Sequence, residues 1–182
     1  MSEINIKSSI ENGRPSETRL PKEEAVYDLL ENLNIDFQRL DHDATASMED
    51  CQKIGQILNV RICKNLFLCN RQKTQFYLLM IPGDKEFRTK DLSKQINSAR
   101  LSFAGADYMD EFLNITPGSV SVMGLMNDTD NRVQLLIDSD VLKNDHIGCH
   151  PCINTSSIKL KTRDLTDQIL PYINHQPISV EL

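Results

Sequence analysis

Val60-Arg61-Ile62-Cys63-Lys64-Asn65-Leu66-Phe67-Leu68-Cys69-Asn70, then Arg71-Gln72-Lys73-Thr74, then Gln75-Phe76-Tyr77-Leu78-Leu79-Met80-Ile81 is the stretch on which the fold turns. Both outer runs are rich in β-branched, Leu and aromatic residues, and the polar four between them read as a turn. Residues 60–70 and 75–81 are therefore predicted to form a hairpin that opens a sheet. A hairpin as the first strand pair argues for a mixed sheet with packed helices rather than a doubly wound parallel sheet. The expected fold class is α/β, one domain, with a mixed, mostly antiparallel sheet flanked by helices.

Toward the N-terminus, Val26, Leu29, Leu30 and Leu33 follow i, i+3, i+4, i+7 behind Pro21, with Glu23 and Glu24 in the first turn, which predicts a first helix. Ser47 with Asp50 three residues on resembles a capping box, and Cys51, Ile54 and Leu58 share the face of a second helix. Toward the C-terminus, Leu92 and Ile96 mark a third helix, and Met109, Phe112 and Leu113 a fourth that stops before Thr116-Pro117-Gly118. Residues 119–125 and 133–137 are expected as buried strands around the polar loop 127–131. Ile158 and Leu160 read as a further strand, and Leu165, Ile169 and Tyr172 as a closing helix. Residues 1–19 show no sustained period and are expected as a flexible leader. The domain is expected over 20–175, with a tail at 176–182.

The chain has 182 residues, enough for one core and one site. Its apolar stretches fall far short of the roughly 20 residues of a membrane helix, and the N-terminus develops no apolar signal core, so a cytoplasmic location and no membrane partner are expected. Five cysteines scattered through the chain fit reduced thiols better than a disulfide framework. A net charge of −6 argues against a broad basic face, so DNA is not an expected partner and any RNA contact must be local.

Lys64 and Asn65 interrupt an apolar strand. Lys64 either projects to solvent or places an ammonium in a cleft, where it could hold a phosphate, a ribose oxygen or a developing oxyanion. Thr116-Pro117-Gly118-Ser119 joins a helix to a strand, and its glycine lets backbone N–H groups approach a ligand. Pro151 holds the backbone of His150 extended. His146, Cys149, His150 and Cys152 are ligand types that suit zinc, but they form one short run without a second ligand pair, so no metal and no other cofactor is expected. Cys149-His150-Pro151-Cys152 also has CxxC spacing, without the strand and helix that a thioredoxin-like site requires.

Four segments together resemble a known family: His42-Asp43-Ala44-Thr45-Ala46-Ser47; Cys63-Lys64-Asn65-Leu66-Phe67-Leu68; Arg100-Leu101-Ser102-Phe103-Ala104 running on to Thr116-Pro117-Gly118-Ser119-Val120 and Leu125-Met126-Asn127-Asp128; and Gly148-Cys149-His150-Pro151-Cys152-Ile153-Asn154-Thr155. Their order and spacing over about residues 22–174 are similar to those of the bacterial prolyl-tRNA editing proteins and the wider YbaK-type aminoacyl-tRNA deacylase superfamily. Cys149 and Cys152 stand where the family usually has other residues.

The resemblance implies that Lys64, the Pro117-Gly118-Ser119 loop and His150 converge on one cleft. Its substrate would be an aminoacyl ester on the 3′-terminal adenosine of tRNA, most simply alanyl-tRNA(Pro), with cysteinyl-tRNA as the alternative. On this reading Lys64, Gly118 and Ser119 are catalytic, while Asn65, Phe103, Pro117, His150, Pro151 and Asn154 bind substrate. The implied partners are the tRNA acceptor end and prolyl-tRNA synthetase. The rival reading is an editing-like module that binds tRNA or synthetase without turnover.

Overall fold

The computed structural model describes residues 4–45 and 47–182. The first three residues of the expected leader, and Ala46 of the segment that begins at His42, lie outside the described residues. In chain order the elements are β1 (Glu11–Asn12), α1 (Pro21–Asn32), β2 (Gln38–Asp41), α2 (Met48–Leu58), β3 (Cys63–Asn70), β4 (Phe76–Pro82), α3 (Thr89–Gln95), β5 (Leu101–Phe103) and α4 (Ala106–Leu113). A 3-10 helix (Val122–Asn127), β6 (Val133–Asp138), α5 (Ser139–Leu142), β7 (His146–Cys149) and β8 (Ser156–Lys161) follow. The closing helix runs as α6 (Thr162–Asp164), a π-helical turn (Leu165–Ile169) and α7 (Leu170–Tyr172), and β9 (Ile178–Val180) is the last element among the described residues.

The hairpin forms as expected, antiparallel from Cys63 opposite Pro82 to Cys69 opposite Phe76. Its turn is closed by the Asn70 side chain, whose Oδ1 accepts from the N–H of Thr74 at 2.9 Å and of Gln75 at 3.2 Å. The expected sheet divides in two. One has the order β5-β3-β4-β6-β9 with parallel pairing of β6 to β4 and β9, and the other is the antiparallel β1-β2-β8-β7. A parallel bridge from Ile62 to Gly148 ties them together at the start of β3.

Strand alternation explains why β4 reads as a continuous apolar run. Leu78 and Met80 enter the main core with Phe67, α1, α4 and the second sheet, whereas Leu79 and Ile81 enter a second cluster with Leu68 and Leu92 under α3. A strand covered on both faces has no polar side to show. A third cluster, Leu40, Cys51, Ile54, Leu58 and Ile62, fixes α2 over the junction of the sheets.

Three sequence expectations change. Residues 119–125 are not a strand: Ser121 caps the 3-10 helix by accepting from the N–H of Met123 at 3.2 Å. Residues 4–19, expected as a leader, run along the second sheet, where Glu11 and Asn12 pair with Arg39 and Gln38, Ile6 bridges His42, and Arg14 meets Glu24, Asp28 and Glu31 of α1. Pairing through so few polar residues leaves no periodic signal. Residues 176–182, expected as a tail, supply β9.

Candidate functional site

β5 covers the edge of β3 only from Leu68 to Asn70, with a further bond from the N–H of Ala104 to the Phe67 carbonyl at 2.9 Å. Between that bond and the bridge at Ile62, the edge of β3 faces a cavity of about 410 Å³. Lys64 and Asn65 of β3, Thr45 ahead of α2, Gly118 and Val120 after α4, and His150 after β7 all line it. Backbone groups alternate in direction along an antiparallel strand, and the Phe67 carbonyl points off the β4 side. Asn65, two residues earlier, therefore turns its own N–H and C=O toward the cavity. A cleft that meets a strand edge can take side chains from both faces, which is how adjacent Lys64 and Asn65 both reach it. A larger cavity, about 760 Å³, lies against Phe37, His146 and Lys161 and holds none of the expected site residues.

Lys64 is half-buried, and its Nζ donates to the backbone carbonyl of Lys85. One acceptor among the described residues leaves the ammonium other donors for a ligand. Asn65 donates weakly from Nδ2 to the Cys63 carbonyl at 3.5 Å, while its Oδ1 is buried without a hydrogen-bond partner among the described residues. A buried acceptor in that state is matched by a donor on whatever enters.

His150 is an acceptor too. Its Nδ1 lies 2.8 Å from the carbonyl oxygen of Ser156 and must donate to it, which leaves Nε2 unprotonated at 3.5 Å from the Thr45 hydroxyl. Burial, with the neighbouring His42, pushes its pKa down to about 4, so the ring is neutral at physiological pH. Behind it, His42 is fully buried, donates from Nδ1 to the Asp43 carbonyl at 2.7 Å and accepts at Nε2 from Ser157 at 3.0 Å. The Ser157 hydroxyl is also 3.4 Å from His150 Nδ1, so one serine spaces the two rings.

Gly118 has φ +89°, and the N–H of Ser119 donates to the Thr116 carbonyl at 3.1 Å. This is a type II turn, with proline at its second position and the positive φ that glycine supplies at its third. The bond occupies one of the two N–H groups expected to face substrate. Ser119, itself buried, closes the turn, and Gly118 lines the cleft.

Pro117 is exposed and shapes that turn, while Pro151 is buried behind His150. Asn154 clamps the walls: its carbonyl accepts from the N–H of Thr45 at 3.1 Å, and its Nδ2 would lie 3.5 Å from a Cβ placed on Gly118. Phe103 is not brought to the cleft. It pairs with Leu68 at the covered end of β3 and is 63% exposed. Thr45 lines the cleft although the sequence reading assigned it no role; its place one residue ahead of Ala46 and the Ser47 cap was the available signal.

The four residues His146, Cys149, His150 and Cys152 do not converge. His146 lines the larger cavity and His150 the cleft. Burial pushes the Cys152 thiol up to about 12 and the Cys149 thiol higher still, which keeps both protonated. All five cysteines are free and buried, and no group of three or more His, Cys, Asp or Glu among the described residues is placed to hold a metal ion.

A family model described as an aminoacyl-tRNA editing domain matches residues 42–168, a span that contains every wall of the cleft. The prolyl-tRNA editing protein ProX of Acetoanaerobium sticklandii is 34% identical over 143 residues, 78% of this chain and 87% of that protein. The prolyl-tRNA synthetase associated domain-containing protein 1 of Danio rerio is 26% identical over 153 residues, 83% of this chain and 82% of that protein. A crystal structure of a candidate trans-editing enzyme for prolyl tRNA synthetase superposes with a TM-score of 0.64 at 13% identity, covering 91% of this chain and 99% of that one. At that identity the likeness is one of fold.

Proposed function

The chain belongs to the aminoacyl-tRNA editing domain family, and we propose that it is a hydrolase that deacylates mischarged tRNA(Pro) in trans, with alanyl-tRNA(Pro) as its substrate. The observation that carries this reading is the joining of Lys64, Asn65, Gly118 and His150 in one cleft from three separate parts of the chain.

An aminoacyl ester is already activated toward water, so the protein needs to orient the ester and stabilise charge at its carbonyl. Water adds to the carbonyl carbon, the bond to the ribose oxygen breaks, and that oxygen takes a proton as the free amino acid leaves. The Lys64 ammonium attracts the phosphate of the terminal adenosine and lends positive charge to the site. The Gly118 N–H donates to the carbonyl oxygen. Asn65 Oδ1 and His150 Nε2, both acceptors, take hydrogen bonds from the α-amino group and a ribose hydroxyl. A ring with a pKa of about 4 is a poor general base at neutral pH and a dependable acceptor, so His150 holds substrate rather than removing a proton.

Alanine is the favoured side chain because a synthetase pocket shaped for proline cannot strongly reject a smaller one, and a second, smaller pocket can separate them. An open cavity of about 410 Å³ supports turnover over a binding-only module. Cysteine is the second candidate for the amino acid removed. The partners are the acceptor end of tRNA and prolyl-tRNA synthetase, in the cytoplasm where both work. Purified protein, without synthetase, is expected to release labelled alanine from alanyl-tRNA(Pro) well above the rate in buffer; release at the buffer rate would contradict the proposal.

A further inference from the structure

The cleft does not end at its own walls. Met48, Cys51 and Ile62 line it on one side and also line a second cavity of about 480 Å³, so the two lie side by side against a shared wall at the start of α2. None of the other three described cavities shares a residue with the cleft. Beyond the shared wall the chemistry changes. Gln52, Gln56 and Asn59 present exposed side-chain amides, and Arg61 presents a guanidinium held at 2.6 Å from Asp84. Lys64 lines the first cavity, and its ammonium donates to the carbonyl of Lys85, next in the chain to Asp84, which lines the second.

Resting on the editing reading above, we propose that this second cavity binds the penultimate nucleotide of the acceptor end, the cytidine 5′ of the terminal adenosine. With the ester in the first cavity, the chain must leave through a gap that accepts a phosphodiester, and Lys64 offers its ammonium for one. Beyond it, the apolar wall of Met48 and Ile62 suits the face of a base. The amides, each both donor and acceptor, suit its edge, and the Arg61 guanidinium suits the next phosphate. The volume matches one nucleotide better than an amino-acid side chain.

The test compares hydrolysis of the 3′-alanyl ester of adenosine 5′-phosphate, the 3′-alanyl ester of 5′-phosphorylated cytidylyl-adenosine and an alanyl acceptor-stem minihelix by wild type, Arg61→Ala and Gln56→Ala. Both substituted side chains are on the surface, so the fold should survive. Wild type is expected to show a KM about tenfold lower for the dinucleotide than for the adenosine ester, the effect of roughly one charge-assisted contact. Each variant should erase most of that advantage and leave kcat/KM for the adenosine ester at the wild-type value. Equal KM values for the two short esters in wild type, or variants that slow both short esters alike, would overturn the subsite. Hydrolysis of the minihelix with neither short ester cleaved would also overturn it. Failure on all three substrates would instead remove the editing reading on which it rests.

Discussion

Lys64 holds its charge half-buried in the wall of a cleft, where its ammonium donates to a backbone carbonyl among the described residues. Lys64→Ala removes the charge without opening the core, so kcat/KM for deacylation is expected to fall about a hundredfold or more while the urea midpoint stays near that of wild type. Wild-type turnover in the variant would take Lys64 out of the mechanism. His150 sets the pH behaviour. Its folded pKa of about 4 lies below its ordinary value of 6.5, so between those limits the unfolded chain binds more protons. Stability is then fully present above about pH 6.5 and is lost as pH falls toward 4, with buried His42 shifted in the same direction. Urea midpoints measured across that window should fall with pH, and kcat/KM should lack the inflection near 6.5 that an ordinary histidine gives. Lys64 and Asn65 were legible because polar residues break an apolar strand, whereas Phe103 was expected in the cleft on the family resemblance alone, which does not say where β5 pairs along β3. The Ser119 N–H was misassigned because composition reveals a turn but not which of its N–H groups closes it.

α2 is the element that both caps and walls the site. Ser47 and Asp50 complete its capping box, with the N–H of Asp50 donating to Ser47 Oγ at 3.2 Å and the N–H of Ser47 to Asp50 Oδ2 at 3.1 Å. Ser47→Ala is expected to cost about 1 kcal/mol in urea unfolding, and an unchanged midpoint would show that the helix start is held by other contacts. The turn after α4 is tested by Gly118→Ala. The φ of +89° is unfavourable for a side chain, so a loss of about 1–2 kcal/mol is expected, together with slower deacylation as the donor at Gly118 shifts. The helices were readable from their 3.6 periodicity, and the hairpin from two β-rich runs around a polar turn. Residues 119–125 were not, because a short buried apolar run fits strand and helix equally. What decides it is local: the Ser121 cap, and a glycine at 124 where any Cβ would meet Ile115 Cδ1 at 2.4 Å.

At the scale of the whole molecule the charge is −6, so few phosphates can be held. The slope of log affinity against log salt should correspond to about two or three released counterions, and an acceptor-stem minihelix should be deacylated nearly as well as full tRNA. A steep slope with an inert minihelix would point to a surface for the tRNA body or to a synthetase that supplies one. The proposed chemistry calls for no Lewis acid, so activity should survive a chelator; stoichiometric zinc with loss of activity on chelation would contradict that. The overall class, α/β with a hairpin-led sheet and packed helices, was legible from the hairpin and the helical periods. The division into two sheets was not, because it depends on the long-range pairing of β2 with β8 and on the bridge from Ile62 to Gly148. On the proposed function, this cleft takes a small amino acid from tRNA(Pro) and spares the correct one. Deacylation of alanyl-, cysteinyl- and prolyl-tRNA(Pro), measured side by side with the same enzyme, tests it most directly. The alanyl ester is expected to be lost rapidly, the cysteinyl ester more slowly and the prolyl ester no faster than in buffer; prolyl-tRNA(Pro) cleaved as fast as alanyl-tRNA(Pro) would overturn the proposal.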